Sequence, residues 1–136
     1  MNILKDIKRH EGFRSKVYKC TEGYDTIGYG FAIKDLEIDE DIAELILMKK
    51  IKKLLERIIS SFEWFEGSPD EIKYVVTNMC YQLGVTGFSK FKKTIYLFET
   101  EQYEEASSEM LDSLWAKQTP NRAKELSSIV KMVSSN

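Results

Sequence analysis

The hydrophobic pattern of the chain changes once, near residue 35, and this change limits the folds open to it. Residues 13–31 are rich in Tyr, Val, Ile, Thr and Gly, whereas from residue 35 apolar residues recur every three to four positions. The first pattern is typical of strands and the second of amphipathic helices. A chain of 136 residues can bury one core. The sequence therefore predicts an α+β, mostly helical domain with one small β-hairpin.

Capping residues set the predicted boundaries at the N-terminal end. Asn2 is a good N-cap and Gly12 a common stop signal, so a first helix is predicted over residues 3–11. Two strands, 17–20 and 26–31, are predicted next, joined by a turn around Glu22-Gly23.

Helices are predicted for the rest of the chain. Residues 68–71, Ser-Pro-Asp-Glu, have the sequence of a capping box with Pro at the first helical position. The helix that they begin has the most continuous apolar stripe and is closed by Gly84, so it is the predicted central core helix. Four more helices are predicted over 39–59, 88–98, 103–114 and from Thr119-Pro120 onward.

These elements predict two lobes within a single domain. A small β-hairpin lobe covers about 13–59, including the long helix over 39–59 that bridges the lobes, and a larger helical lobe covers about 1–12 and 60–136. The first helix is assigned to the helical lobe because its short apolar stripe cannot be buried alone. A cleft between the lobes, beside Glu11 and the hairpin, would suit a ligand.

Charge and cysteine content exclude several classes of function. With a net charge of −2, the chain lacks the strong positive charge that is usual in nucleic-acid-binding proteins. Residues 1–34 are locally more basic, with seven Lys or Arg against four Asp or Glu. Cys20 and Cys80 are too few for a disulfide scaffold and lack zinc-type spacing. Charges interrupt every apolar run, so neither a signal peptide nor a membrane span is predicted. We expect no cofactor, no metal, no nucleic acid, no stable membrane association, and a monomer made in the cytoplasm.

Glu11 is the candidate general acid. It ends the first helix and precedes a run of aromatic residues that begins at Phe13. The negative end of the helix dipole and the removal of water by aromatic side chains both favour a protonated carboxyl group. The alternative is a surface carboxylate paired with a base such as Arg9 or Arg14.

Cys20 and Thr26 are weaker candidates when each is taken alone. At the end of a strand, Cys20 could be a half-exposed nucleophile or base, or a small apolar filler. The hydroxyl of Thr26 could orient a water molecule, or the residue could only satisfy β-propensity. His10 points roughly 100° away from Glu11 around the helix, so it is not a candidate base.

Three blocks of sequence carry a family resemblance. They are Glu11-x8-Cys20-x5-Thr26 leading into Ile27-Gly28-Tyr29-Gly30, Asn78 to Gly84 with Thr86-Gly87-Phe88, and Trp115 to Ala123. Their order and spacing resemble the phage lysozyme family, glycoside hydrolase family 24, whose catalytic pattern is Glu-x8-Asp/Cys-x5-Thr. The later blocks are independent of the catalytic spacing, and the three together cover most of the chain.

The resemblance implies a lysozyme-like fold and a muramidase that cleaves the β-1,4 bond between N-acetylmuramic acid and N-acetylglucosamine in peptidoglycan. Glu11 matches the general acid, Cys20 the group that activates water or stabilises the oxocarbenium-like transition state, and Thr26 a residue that holds that water, as in an inverting mechanism. Arg122 matches an arginine that pairs with the catalytic glutamate. Cleft-lining positions are matched by Gly30, Phe31, Ala32, Tyr81, Gln82 and Thr94.

The chain departs from the family pattern at two residues, Cys20 and Phe31, and in the length of the segment before the long helix. Cys20 stands where the most similar members have aspartate, and a thiol of pKa about 8.5 is neutral at pH 7 unless that pKa is lowered. Its role is open between a thiolate base, a water-holding group and a redox switch through a disulfide to Cys80. Phe31 replaces a histidine, and the segment before the long helix is shorter, so a reduced small lobe is expected.

The family's biology implies an endolysin for phage-driven host cell lysis. Such a protein lacks a signal peptide and reaches the periplasm through a separate phage pore protein. Two alternatives stay open: a lytic transglycosylase, which needs the acid but no activated water, and a catalytically degenerate lysozyme-like protein that binds peptidoglycan. The missing aspartate at position 20 favours the degenerate protein, whereas Glu11, Thr26 and Arg122 at matching spacing oppose it.

Overall fold

The computed structural model describes residues 1–135, and the chain divides into two compact units, Met1–Glu44 and Leu45–Asn136. Residues 1–135 form one small sheet and seven α-helices, which confirms the predicted mostly helical α+β class. The single-domain organisation and the lobe boundaries stay a prediction. In chain order the elements are α1 (Ile3–Glu11), β1 (Arg14–Lys19), β2 (Asp25–Gly28), β3 (Phe31–Ala32), a 3-10 turn (Ile33–Asp35), α2 (Glu40–Ser61), α3 (Asp70–Ser89), α4 (Lys92–Glu99), α5 (Tyr103–Leu111), α6 (Leu114–Gln118) and α7 (Pro120–Ser134).

The first helix has the limits predicted from its capping residues. Asn2 is its N-cap, and the Asn2 Oδ1 atom accepts a hydrogen bond from the backbone N–H of Lys5 at 3.0 Å. At the other end Gly12 takes a φ of 72°, a conformation that favours glycine and ends the helix. Glu11 is therefore the last helical residue.

The β-segment forms a three-stranded antiparallel sheet in the order β1-β2-β3. The prediction of one strand over 26–31 was wrong, because that segment is two strands, β2 and β3, separated by a tight turn. Gly28, the last residue of β2, and Gly30 have φ values of 70° and 76°, so the extended backbone is interrupted at this point. The turn brings the Cα atom of Ile27 opposite that of Phe31.

The hydrophobic core lies in the unit Leu45–Asn136, which holds every buried apolar side chain of the described residues. Helix α3 is the central core helix, as its continuous apolar stripe predicts. Its buried side chains are Ile72, Val75, Val76, Met79, Cys80, Val85 and Phe88.

The start of α3 differs from the predicted capping box. Pro69 occupies the N-cap position, one residue before the predicted place for Pro, and there is no side-chain cap. The Ser68 hydroxyl instead donates to the carbonyl of Trp64 at 2.8 Å. A serine hydroxyl at this position can bond either to the backbone N–H groups of the following helix or to a carbonyl of the preceding turn, and here it bonds to the turn.

Two further helix boundaries differ from the prediction. Gly84, with φ 77° and ψ 160°, breaks the helical geometry of α3 where a stop was predicted, but a second helical segment continues to Ser89. The predicted helix 88–98 consequently starts at Lys92. The predicted helix 103–114 is two helices, because Ser113 caps a new one by accepting from the N–H of Ala116 at 3.1 Å.

Phe88 gives a direct test of this core. Its ring is fully buried, packs edge-on against Phe62 with 5.6 Å between centroids, and stacks with Phe91 at 6.2 Å. Phe88→Ala should lower the free energy of unfolding by about 3–5 kcal/mol, measured by urea denaturation, since it leaves a cavity. The matched change on the surface, Tyr96→Ala, should stay within about 0.5 kcal/mol. Equal losses for the two variants would contradict this core.

Candidate active site

Glu11 lies at the C-terminal end of α1, where its carboxylate reaches the tight turn between β2 and β3. A Cβ atom added to Gly30 would lie 2.8 Å from Glu11 Oε2 and 3.5 Å from Glu11 Cδ. The carboxylate therefore rests directly against the α-carbon of Gly30.

The surroundings of Glu11 within its own unit differ from the expected aromatic enclosure. Glu11 is exposed there, and the nearby Phe13 is 58% exposed, so the expected burial among aromatic rings is wrong for the unit Met1–Glu44. The two bases of the alternative interpretation have other contacts. Arg9 lies 3.6 Å from Asp6, and the Arg14 guanidinium lies over the ring of Tyr18, 4.3 Å from its centroid.

Cys20 lies in the turn between β1 and β2 and is partly exposed. The turn is closed by two backbone hydrogen bonds, from the Cys20 N–H to the Tyr24 carbonyl and from the Gly23 N–H to the Cys20 carbonyl, both 2.9 Å. A backbone hydrogen bond from Tyr24 lowers the pKa of the Cys20 thiol, and one from Glu22 adds to this effect. The turn therefore stabilises a thiolate at position 20.

Thr26 is brought next to Cys20 by the pairing of β1 with β2. Its side chain is buried, and its hydroxyl donates to the Tyr24 carbonyl at 3.0 Å. The Thr26 hydroxyl has a single proton, which it could donate to the Cys20 sulfur in place of the Tyr24 carbonyl. The Thr26 side chain therefore also lowers the pKa of Cys20, while partial burial and the Glu22 carboxylate oppose this. The hydroxyl and the thiol thus form one polar cluster, which favours the chemical interpretation of both residues over simple filling.

The hairpin positions Gly30, Phe31 and Ala32 lie on the neighbouring turn and strand. Ala32 is paired with Thr26 across the sheet. The ring of Phe31 lies on Gly28, where an added Cβ atom would come within 2.7 Å of Phe31 Cδ2. An apolar contact therefore takes the place of the polar one that a histidine would supply.

In the unit Leu45–Asn136, Arg122 and Tyr81 line one groove of about 510 Å3. Arg122 Nε donates to Asn78 Oδ1 at 2.8 Å, and Arg122 Nη2 donates to the Asn78 carbonyl at 3.2 Å. Tyr81 is 48% exposed, so its ring is not core packing. The pairing of Arg122 with Glu11 joins residues of the two units and stays a prediction.

Gln82 and Thr94 both lie close to Trp115. Gln82 Oε1 accepts a hydrogen bond from Trp115 Nε1 at 2.9 Å, which fixes the amide. Thr94 is buried and lines, together with Trp115, a second groove of about 570 Å3. Gln82 is thus partly buried and Thr94 lies at the bottom of a groove, and their part in substrate binding stays a prediction.

Two residues that hold this surface together were missed as site residues, Asn78 and Trp115. Asn78, Tyr81 and Gln82 stand at positions i, i+3 and i+4 of α3, a spacing that puts side chains on one helix face. This spacing was a usable signal for Asn78. The partner of Gln82 is 33 residues away in sequence, and no local pattern indicates it.

The second cysteine has a different environment from the first. Cys80 is buried on α3, and burial raises the pKa of its thiol to about 12. Both thiols are free. A buried thiol with a raised pKa is a poor nucleophile, so Cys20 is the reactive cysteine of the pair.

Residues 1–135 contain no group of three His, Cys, Asp or Glu side chains placed to hold a metal ion. No helix in the same range combines the length and the apolar character needed to cross a bilayer.

Known proteins resemble this chain along almost its whole length. The family profile described as Phage lysozyme matches residues 8–131. Probable T4-type lysozyme 1 of Dictyostelium discoideum is 32% identical, over 96% of this chain and 95% of that protein. The pre-baseplate central spike protein Gp5 of Enterobacteria phage T4 is 28% identical, over 96% of this chain but 28% of that longer protein. The fold, the family match and the extent of these similarities together place the chain in the phage lysozyme family.

Proposed function

We propose that this chain is a muramidase that hydrolyses the β-1,4 bond between N-acetylmuramic acid and N-acetylglucosamine in peptidoglycan. Glu11 is the general acid that protonates the glycosidic oxygen. Cys20 and Thr26 hold and activate the attacking water on the opposite face of the sugar. Because water attacks directly, the anomeric configuration inverts.

The polar cluster of Cys20 and Thr26 is the observation that carries this proposal. Backbone hydrogen bonds from Tyr24 and Glu22 and a hydrogen bond with Thr26 lower the pKa of the Cys20 thiol. A thiolate can accept a proton from a water molecule that the Thr26 hydroxyl orients. A thiol that only filled space would need none of these donors, so the cluster favours a base over a bystander.

The cluster also favours hydrolysis over the transglycosylase alternative. A lytic transglycosylase forms an intramolecular 1,6-anhydro ring and needs no group to activate water. It likewise weakens the degenerate-protein alternative, because the position that lost its aspartate retains an ionisable group with a lowered pKa.

Product analysis tests the reaction. Purified, reduced protein should release fragments with reducing muramic acid ends from Gram-negative peptidoglycan, detected by borohydride reduction and mass spectrometry. Proton NMR at early times should show the α-anomer, since an inverting enzyme converts a β-bond to an α-product. Fragments with 1,6-anhydro ends would identify a transglycosylase. Binding to peptidoglycan with no fragments released would identify a degenerate protein.

We further place this activity in phage-driven lysis of a bacterial host. The protein would act as a monomer on periplasmic peptidoglycan, after release through a separate phage pore protein. Support comes from the family of the chain.

A further inference from the structure

Two glycines flank Tyr29 where the chain passes from β2 to β3, and each is overlaid by another side chain. Gly30 is covered by the carboxylate of Glu11, and Gly28 by the ring of Phe31. Both have positive φ, 76° and 70° respectively. A positive φ alone would explain a glycine at each position, so the close contacts are an additional and separate constraint.

Tyr29, between the two glycines, connects this turn to the helix that carries Glu11. Its ring lies 5.5 Å from that of Phe13 and 6.4 Å from that of Phe31, measured between centroids. The Lys8 ammonium of α1 lies 5.5 Å from the centroid of the same ring. These contacts hold the turn beside α1, so the α-carbon of Gly30 has a defined position relative to Glu11.

We propose that Gly30 is a positioning residue for Glu11. Because Gly30 has no side chain, its α-carbon leaves room for the Glu11 carboxylate and fixes the position of that group. This inference depends on the proposed function, in which Glu11 is the general acid. It differs from the interpretation of Gly30 as a cleft-lining residue that contacts the sugar. A side chain at position 30 would occupy the space of the carboxylate and force Glu11 into another rotamer.

The displacement of the carboxylate should itself affect turnover and not stability, whereas the positive φ at position 30 adds backbone strain to any substitution. Glu11 Oε2 is the far end of a flexible, exposed side chain, so it can move away from a methyl group at little energetic cost. A general acid, however, must lie within hydrogen-bond reach of the atom that it protonates. A shift of about 1 Å can reduce the rate about 100-fold.

Steady-state kinetics of Gly30→Ala test the proposal. We expect kcat to fall about 100-fold, with KM nearly unchanged, because the acid is moved while the sugar contacts are kept. Gly84→Ala is the matched control, since Gly84 has a φ of 77° and no atom within 4 Å of an added Cβ. It should suffer the same kind of backbone strain and keep its kcat. A rise in KM with unchanged kcat would overturn the proposal and favour a sugar contact.

A double-mutant cycle separates the carboxylate contact from backbone strain. In a Glu11→Asp background the carboxylate is one methylene shorter and no longer reaches residue 30, so adding Gly30→Ala should cost far less than 100-fold in kcat. Strain at position 30 does not depend on residue 11. An equal fold-loss in both backgrounds would therefore overturn the positioning role.

A nuclear Overhauser effect tests the contact independently of activity. Wild-type protein should give a cross-peak between the Hγ protons of Glu11 and the Hα protons of Gly30. If the cross-peak is present but no peptidoglycan is cleaved, the proposed function fails while the contact stands. If the protein is active and the cross-peak is absent, the positioning role fails alone.

Discussion

Glu11→Gln should reduce the release of reducing ends from peptidoglycan about 10²–10⁴-fold. Glutamine has nearly the same size and can keep the contact with Gly30, but it carries no acidic proton for the glycosidic oxygen. Leaving-group protonation would then depend on water. The far-UV circular dichroism spectrum should not change, because Glu11 is exposed in its own unit.

A matched control for this change is Glu37→Gln. Glu37 is also an exposed carboxylate of the unit Met1–Glu44, but it follows the 3-10 turn and has no place in the proposed site. Its replacement should leave the rate unchanged. Full activity in Glu11→Gln would remove the general-acid mechanism, and equal losses in the two variants would indicate an effect of net charge.

Alkylation of Cys20 with iodoacetamide should abolish turnover. The added group blocks the thiolate that the hydrogen bonds from Tyr24, Glu22 and Thr26 stabilise. Because the base works only when deprotonated, the rate should rise with pH through the pKa of Cys20, which lies below the usual thiol range. Cys20→Asp should keep its activity to lower pH, since a carboxyl group has an ordinary pKa of about 3.9.

The control for the thiol chemistry is the second cysteine. Cys80 is buried and its pKa is raised to about 12, so it should react far more slowly than Cys20. A Cys80→Ala variant, in which Cys20 is the one remaining thiol of the sequence, should be inactivated like the wild type. If the alkylated protein keeps its rate, Cys20 takes no part in catalysis.

Local signals were sufficient to predict the elements that depend on neighbouring residues. The limits of α1 follow from Asn2 and Gly12, and the start of α7 follows from Pro120. The apolar stripe of α3 predicted its central place in the core, because a continuous stripe can be buried only among other elements. These features need no information from distant parts of the chain.

Boundaries that depend on a choice between partners could not be predicted in the same way. Ser68 could cap α3 or bond to the preceding turn, and only the folded chain places the Trp64 carbonyl within reach of its hydroxyl. The segment 26–31 has strand-forming residues on both sides of its glycines, and composition alone does not say whether Gly30 bends the chain.

In the candidate site, too, some contacts follow from local sequence and others depend on distant parts of the chain. The spacing of Glu11, Cys20 and Thr26 identified three residues that lie in one unit, and the contact of Cys20 with Thr26 follows from strand pairing. Their catalytic roles stay predictions. The contact of Glu11 with Gly30 spans 19 positions of sequence and depends on how the turn packs against α1, which no periodicity reveals.

Both tryptophans of the chain, Trp64 and Trp115, belong to the unit Leu45–Asn136. Trp64 packs 6.0 Å from Phe98, and Trp115 packs 6.0 Å from Phe91, between ring centroids. Intrinsic tryptophan fluorescence should therefore monitor the helical core. The unit with Glu11 and Cys20 contributes only tyrosine emission, so its unfolding needs a separate probe. A tryptophan introduced at Phe13 in a variant whose Trp64 and Trp115 are replaced by phenylalanine would supply one, and parallel titrations of that variant and the wild type would then follow the two units separately.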